Sequence, residues 1–397
     1  MIIFAAILAT FVYGMIAAML GTILPDLSAR FKLTPRENGR IAFSQALGLV
    51  IASIAVGPLI DQSGKKIALV IGLALISAAL FLLPRSSGFG TIAAYLFLLG
   101  LGGGIIVVGA NTLAGDVNPA HKAMTLNLLN LFFGLGGFAT PFIAANLFKS
   151  NSMRLCYSVA ILTVVSLAVN AATPMPRAVP TTPAATQHET AAPGSTGGEA
   201  PGTPAQPRGL FNNPALWLFC VLMFLYVASE VGVWNWLVQH LIAQGIPEKR
   251  ALNVLSFGFA LGLLVGRVAI APVLITVPGI SVLLGSSIAM LITTWAMLRS
   301  RTPGVAWVLV FIAGLAMAPV FPTTLAMVQD NFSPAVQATA TGIVVTLGWI
   351  GLAVSSPIIG GIAGGDPKRL KKALLVLPVM AALIVVVNLA LRPYLIH

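Results

Sequence analysis

Long apolar stretches separated by short polar segments make up almost the whole chain. Each is close to or above the roughly 20 residues with which a helix crosses the hydrocarbon core of a bilayer, and this length favours helices over a barrel. The pattern predicts an all-α membrane protein with transmembrane helices near residues 2–24, 40–60, 66–84, 90–115, 121–147, 154–172, 213–243, 250–275, 277–298, 303–328, 334–362 and 370–391.

One polar segment, residues 173–210, is longer than the others and has a different composition. It is rich in Pro, Ala, Thr and Gly and almost free of large apolar residues, so it cannot bury a core. We interpret it as a disordered cytoplasmic linker. The chain then divides into an N-terminal six-helix bundle, residues 1–172, and a C-terminal six-helix bundle, residues 211–397.

The two halves repeat short motifs in the same order. Leu47-Gly48-Leu49 in the second span recurs 214 residues later as Leu261-Gly262-Leu263 in the eighth. Phe11-Val12-Tyr13 in the first span matches Phe224-Leu225-Tyr226 in the seventh. These matches indicate a parallel repeat, which makes the two bundles pseudo-symmetric and places a site between them near the bilayer midplane.

Composition narrows the class of protein. Apolar residues make up 58% of the 397 residues and charged residues 8%. Because soluble domains carry about 25% charged residues, this composition predicts an integral membrane protein. The net charge of +12 is spread over many short loops, which favours membrane lipids over nucleic acid as partners. Met1 and the residues after it lack a charged region, so we interpret the first apolar run as a membrane helix and not a signal peptide.

Glu230 is the candidate centre of a binding site. It is the one carboxylate deep in an apolar span, where an acid is costly unless it is neutral, paired or facing water. Tyr226 and Trp234 lie one turn before and after it on the same helical face. An acid between two aromatic rings suits a polyhydroxylated ligand, because rings cover its apolar side while the acid accepts hydrogen bonds. Helix packing is the competing interpretation for both rings.

Six further polar side chains within the spans are weaker candidates. The amides can bind hydroxyl groups, although such residues often only join helices. A second group lies toward the opposite membrane face, where it could form an outer gate. The first group is Asn111, Asn127 and Asn130, and the second is Gln45, Asn235 and Gln239.

A salt bridge and an enzyme are both poorly supported. Glu230 and Arg267 differ in depth by roughly 12 Å along the membrane normal, counted from the helical rise, which is too far for direct pairing. The four histidines have no metal-ligand spacing, and no nucleophile turn of the Gly-x-Ser-x-Gly type occurs. We therefore expect no enzyme activity, no metal and no organic cofactor.

The loop between the second and third spans contains Gly57, three residues, Asp61, two residues, Gly64, then Lys65 and Lys66. This pattern resembles the signature loop of the major facilitator superfamily. Gly64 permits a tight turn, and Asp61 can accept hydrogen bonds from a helix N-terminus. The resemblance implies a twelve-helix fold and a cytoplasmic latch that stabilises one of two alternating states.

Several stretches are similar to one branch of that superfamily, the fucose–galactose–glucose:proton symporters and their animal sodium-glucose relatives. The resemblance covers both halves but not the linker. It implies a hexose transporter with Glu230, Asn111 and Trp234 at the sugar. The similar stretches are Tyr226 to Val231, Gly109 to Asn111, Leu126 to Pro141, Ala318 to Thr323 and Gly348 to Gly351.

One departure from that branch affects coupling. Proton-coupled members tend to carry an acid four residues before the amide of the fourth span, and Val107 stands there. Uniport and coupling to H⁺ or Na⁺ through Glu230 both stay open. The alternative function is a proton-coupled exporter of drugs or lipids. We expect a monomer.

The orientation in the membrane carries a conflict. The resemblance implies an inner (plasma) membrane protein with both termini in the cytoplasm. In that orientation the outer side holds more basic residues than the cytoplasmic side, against the positive-inside rule. The outer residues include Arg30, Lys32, Arg36, Arg40, Lys249, Arg250, Arg299, Arg301, Lys368, Arg369, Lys371 and Lys372.

Overall fold

The computed structural model describes residues 1–117, 122–175, 210–300, 303–364 and 366–395, and every regular element in these ranges is a helix. Twelve stretches among them are long and apolar enough to cross a membrane, as the hydrophobic pattern predicts. Most of the linker, residues 176–209, lies outside the described residues, so the prediction of disorder there is untested.

The N-terminal bundle contains one helix for each span. α2 begins with a capping box in which Thr34 and Glu37 bind each other's backbone N–H groups, which fixes where the helix starts. The helices are α1 (Ile2–Phe31), α2 (Pro35–Ser63), α3 (Lys65–Leu82), α4 (Phe89–Val117), α5 (Lys122–Asn146) and α6 (Ser152–Ala172).

The C-terminal bundle has three interrupted spans. Its eighth span contains a π-helical segment, Val254–Ala260, and its tenth breaks before Pro319, where a proline cannot donate a helical hydrogen bond. The helices are α7 (Pro214–Ala243), α8 (Glu248–Asn253), α9 (Leu261–Thr276), α10 (Gly279–Arg299), α11 (Pro303–Met317), α12 (Val320–Asn331), α13 (Pro334–Ala363), α14 (Leu370–Ala373) and α15 (Val376–Leu391).

The same helix crossing is built twice. In the N-terminal bundle α2 lies so close to α4 that a Cβ at Gly48 would overlap the carbonyl oxygen of Phe97. In the C-terminal bundle a Cβ at Gly262 would overlap the carbonyl oxygen of Phe311 in the crossing of α9 and α11. Gly262 follows Gly48 by 214 residues, and Phe311 follows Phe97 by the same number. The repeat predicted from the sequence is therefore present in the packing of the helices.

The bundles meet at one end of the molecule, which we call the far end because it lies opposite the linker. Two side-chain hydrogen bonds cross between them there. The Asn146 amide donates to Asn253 Oδ1 at 2.8 Å, and the Gln239 amide donates to Ser28 Oγ at 3.3 Å. One turn deeper, Ser256 Oγ donates to the carbonyl oxygen of Phe138 at 2.9 Å. These three cross-bundle hydrogen bonds all lie in this half of the molecule.

Candidate functional site

Glu230 and Trp234 form a hydrogen-bonded pair on α7. Trp234 Nε1 donates to Glu230 Oε1 at 3.4 Å, and both side chains are half-buried on a helix whose neighbouring residues are mostly buried. A spacing of four residues places them one above the other, as expected from the sequence. The carboxylate can accept further hydrogen bonds beside the one from Trp234.

The indole ring of Trp234 lies across the boundary between the bundles. On its own side it meets Phe259 edge-on, with ring centroids 5.2 Å apart. On the other side it faces Gly137 of α5, where a Cβ would lie 3.4 Å from the ring. The ring is therefore placed where relative movement of the bundles must change its contacts.

Tyr226 is fully buried, in contrast to the other two members of the face. Its hydroxyl group lies near the carboxylate of Glu230 and the guanidinium of Arg267 but makes no well-formed hydrogen bond with either. An unpaired buried hydroxyl is uncommon and costs free energy. Because Tyr226 is fully buried, its ring is not available for stacking on a ligand in this state.

Arg267, the cation within the eighth span, lies at a different depth from the Glu230–Trp234 pair. Arg267 lies nine residues before the end of α9, about 14 Å from the linker end, and Glu230 lies about 24 Å along α7 from the same end. Counted from these helix ends, the two residues differ in depth by about 10 Å, which repeats the estimate made from the sequence.

In the alignment of the two halves, Ala17 of α1 is equivalent to Glu230 of α7, and Gly21 is equivalent to Trp234. Ala17 is half-buried, like Glu230, while its neighbours on α1 are buried. A Cβ at Gly21 would overlap the carbonyl oxygen of Trp234. The two central helices thus cross at a pair of equivalent residues.

The amides of the N-terminal bundle lie nearer the linker end than Glu230 does. Asn111 and Asn130 are exposed, about 9 and 12 Å from the linker ends of α4 and α5. The side chain of Asn127 lies outside the described residues. The two described amides are therefore one tier removed from the acid, and their contact with a ligand stays a prediction.

The three amides expected near a gate have separate partners. The Gln239 amide donates across the bundles to Ser28 Oγ at 3.3 Å, and its role in a gate stays a prediction. Asn235 is buried and donates to Ser356 Oγ at 3.0 Å within the C-terminal bundle. Gln45 donates to the carbonyl oxygen of Ile16 at 3.5 Å within the N-terminal bundle. Only Gln239 joins the two halves.

The signature loop folds as its glycine predicts. α2 ends at Ser63, Gly64 has φ 85°, and α3 starts directly at Lys65. A φ in this region suits glycine, so the turn explains why glycine stands there. Gly57 lies inside α2 with open space beside it, and Lys66 is half-buried like Lys65.

The side chain of Asp61 lies outside the described residues, so the latch stays a prediction.

Two parts of the site were not found from the sequence. Phe259 packs on Trp234 from a π-helical segment, and Gly137 gives the indole ring its place on α5. A signal was present in the repeat: Phe259 follows Gln45 by the same 214 residues that relate the halves. Extending that alignment along the eighth span would have placed an aromatic ring beside the site.

A family model described as Major Facilitator Superfamily matches residues 6–356. The chain belongs to this superfamily, and its fold is that of the superfamily's membrane transporters.

Three curated relatives are similar over part of the chain. The 4-hydroxybenzoate transporter PcaK of Pseudomonas aeruginosa is 27% identical over 147 residues, 37% of this chain and 33% of that protein. Sodium-dependent glucose transporter 1 of Rattus norvegicus is 28% identical over 131 residues, 33% of this chain and 27% of that protein. The quinolone resistance protein NorA of Staphylococcus aureus is 29% identical over 134 residues, 32% of this chain and 34% of that protein. The chain thus spans about a third of these relatives' lengths.

Two solved structures share the fold over nearly the whole chain. A D-xylose-proton symporter has a TM-score of 0.77 at 16% identity, covering 100% of this chain and 97% of the other. The nucleoside transporter NupG has a TM-score of 0.76 at 13% identity, covering 99% and 98%. At these identities the likeness shows the architecture alone.

Proposed function

We propose that this membrane transporter moves a hexose sugar of the glucose, galactose or fucose type across the inner membrane by alternating access. The observation that carries the proposal is the Glu230–Trp234 pair at the boundary between the bundles. A carboxylate offers strong acceptors to sugar hydroxyls, and an indole face covers the apolar side of a pyranose ring. The partial similarity to a sodium-dependent glucose transporter supports the same class of substrate.

The transport cycle follows from where the bundles touch. They are joined at the far end, by Gln239 on Ser28 and Asn146 on Asn253. With both termini cytoplasmic, this arrangement opens the site toward the cytoplasm. A sugar would pass the tier of Asn111 and Asn130, reach Glu230, and shift the populations through contacts that differ between the two states.

Binding of a sugar can be measured on the purified full-length chain by thermal shift. The panel is glucose, galactose, fucose and xylose, together with a nucleoside, 4-hydroxybenzoate and a quinolone. We expect a hexose to raise the midpoint, and the rise to grow with the logarithm of its concentration once that exceeds the Kd. Stabilisation by the quinolone alone would favour the exporter alternative, and stabilisation by the nucleoside or 4-hydroxybenzoate alone would replace the sugar by that class.

Glu230→Gln tests the acid itself. Trp234 Nε1 can still donate to the amide oxygen, so the fold is retained, while the charged acceptor is lost. A hydrogen bond to a charged group contributes about 1.5–3 kcal/mol, so hexose affinity should fall about tenfold or more. Isothermal titration measures the affinity, and unchanged affinity in this variant contradicts the assignment.

Trp234→Phe tests the ring, with Trp217→Phe as the matched control. Trp217 lies on the same helix, but its ring is 47% exposed and its Nε1 donates to the carbonyl oxygen of Phe211. We expect hexose affinity to fall in the first variant and to stay unchanged in the second.

Uptake into proteoliposomes under a pH or sodium gradient then separates uniport from coupling.

A further inference from the structure

A groove runs along the outer surface at the far end, where α2 of one bundle meets α13 of the other. It has a volume of about 350 Å³ and is lined by Arg40 and Phe43 from α2 and by Val354, Pro357 and Ile358 from α13. Four of these five residues are apolar, and the fifth carries a guanidinium group. Both bundles therefore contribute to one surface feature outside the central site.

Two glycines account for the shape of this groove. Gly39 and Gly360 face each other at the crossing, where a Cβ at Gly39 would lie 3.3 Å from the Cα of Gly360. The two backbones thus touch at this point. The larger side chains beside the crossing diverge from each other and leave the groove between them.

The depth of the groove fits the boundary of a bilayer. Arg40 lies about 8 Å along α2 from its start at Pro35, and Val354 lies about 14 Å from the end of α13 at Ala363. Arg40 is exposed, and Phe43 and Ile358 are each 39% exposed. Ile358 lies at about the same depth as Arg40, about 8 Å from the end of its helix, while Phe43 and Val354 lie deeper, so the cation stands at the outer edge of an apolar lining.

The surrounding charge is strongly positive. The N–H of Arg36 donates to the carbonyl oxygen of Gly364 at 3.1 Å, so the start of α2 adjoins the basic segment that follows α13. Glu37, one of the two acids here, is engaged by Thr34 in the helix cap and lies near Arg40. Within 35–40 and 366–372 there are six basic residues and two acids: Arg36, Arg40, Lys368, Arg369, Lys371 and Lys372 against Glu37 and Asp366.

We propose that the groove binds an anionic phospholipid, with its phosphate on Arg40 and an acyl chain along Phe43, Val354 and Ile358. Each lipid then contacts both bundles, and it can do so only while α2 and α13 are together. A ligand that binds one state stabilises that state, so the lipid favours closure of the far end. This role also explains why basic residues gather at the end where the positive-inside rule does not expect them.

The first experiment compares lipids on the purified full-length chain in detergent. Phosphatidylglycerol, phosphatidylcholine with the same acyl chains, and soluble glycerol phosphate are added, and the unfolding midpoint is followed by tryptophan fluorescence. We expect phosphatidylglycerol to raise the midpoint well above the other two. An equal effect of phosphatidylcholine would show that the headgroup is not read, and an equal effect of glycerol phosphate would show a free anion site; either result overturns the proposal.

Matched variants locate the effect. Arg40→Gln removes the cation, with Lys249→Gln as the control because Lys249 is exposed at the same end outside the groove. Ile358→Trp fills the groove, with Ile292→Trp as the control at an apolar position on α10 that is 60% exposed. We expect about fivefold weaker phosphatidylglycerol binding in Arg40→Gln, the effect of one basic residue at a membrane surface, and unchanged binding in both controls.

Each contrary result of these variants has a definite meaning. Full binding by both Arg40→Gln and Ile358→Trp, or an equal loss in Lys249→Gln, would show diffuse attraction to the surface and overturn the proposal. If Ile358→Trp instead converts a dimer into a monomer, the groove is a contact between copies of this chain.

The preference for one state has its own readout. Asn146→Cys with Asn253→Cys places two thiols at a cross-bundle hydrogen bond, while the native Cys156 and Cys220 are buried. We expect faster disulfide formation in phosphatidylglycerol than in phosphatidylcholine, and no difference once Arg40→Gln is added. Equal rates in the two lipids would show that the lipid does not select the closed far end. This outcome is independent of whether the central site binds a sugar.

Discussion

α1 and α7 hold equivalent places in the two bundles but carry different side chains at the centre. Tyr13 corresponds to Tyr226, and both are buried. One turn further, α1 has Ala17 where α7 has Glu230, and one turn beyond that it has Gly21 against Trp234. The duplicated frame is kept, while the chemistry is present on one side only.

The difference separates positions that build the fold from positions that provide a site. Gly48 and Gly262 perform the same task in both halves, because each allows its helix to touch a neighbouring backbone. At the centre, Gly21 of α1 also lets two backbones touch, but its counterpart on α7 is Trp234, and the counterpart of Ala17 is the acid Glu230. We infer that asymmetry between equivalent positions is the better guide to function in a repeated fold.

The largest expected effect comes from placing a side chain at Gly21, where α1 crosses α7. In Gly21→Val the new side chain overlaps the carbonyl oxygen of Trp234, so α1 and α7 cannot keep their crossing. We expect transport to be lost and the far end to open. Initial uptake rates and the rate of cross-linking between Asn146→Cys and Asn253→Cys measure the two effects.

Gly285→Val is the control for that experiment. Gly285 also lies inside a helix, but no atom lies within 4 Å of a Cβ built there. Uptake should be retained in this variant. Normal uptake in Gly21→Val would show that the crossing tolerates a side chain, and the contrast between α1 and α7 would lose its structural basis.

A smaller effect is expected where the two halves are alike. Gly48→Ala and Gly262→Ala each place a methyl group against a backbone carbonyl, which forces α2 from α4 or α9 from α11. Overpacking of this kind costs about 1–3 kcal/mol. The two variants should lower the unfolding midpoint by similar amounts, measured by fluorescence in detergent. A lower midpoint in only one variant would mean that the two equivalent crossings do not contribute equally to stability.

Much of the frame was readable from the sequence, because it rests on regularities that persist over many residues. Helices need a continuous apolar length, so the spans could be placed. The recurrence of Leu47-Gly48-Leu49 as Leu261-Gly262-Leu263 predicted a repeat that the glycine crossings confirm. The four-residue spacing of Glu230 and Trp234 predicted a shared face, and their hydrogen bond agrees with it.

The details of the site depend on contacts between distant segments, which a pattern along one helix does not encode. Nothing near Asn235 in the sequence indicates that its amide is bound by Ser356 within the same bundle. The depth of Asn111 relative to Glu230 depends on where each helix begins. The burial of Tyr226, on the same face as the half-buried acid, depends on which neighbours pack against α7.

The smallest expected effect concerns a single bond between the halves. Asn253→Ala removes the acceptor of the Asn146 amide at the far end, where both side chains can be solvated. A hydrogen bond contributes about 0.5–1.5 kcal/mol, which shifts a two-state equilibrium by roughly two- to tenfold toward the open far end. Distances between spin labels at the exposed Ala29 and Lys249, one on each half, report the populations.

Gln337→Ala is the matched control for this bond. Its amide also makes an exposed hydrogen bond, to the carbonyl oxygen of Gln329 at 2.9 Å, but both residues belong to the C-terminal bundle. The label distances should not change in this variant. If the two variants shift the distances equally, the bond between bundles has no special role in closure. If only Asn253→Ala shifts them, closure depends on contacts between halves and not on the stability of either half.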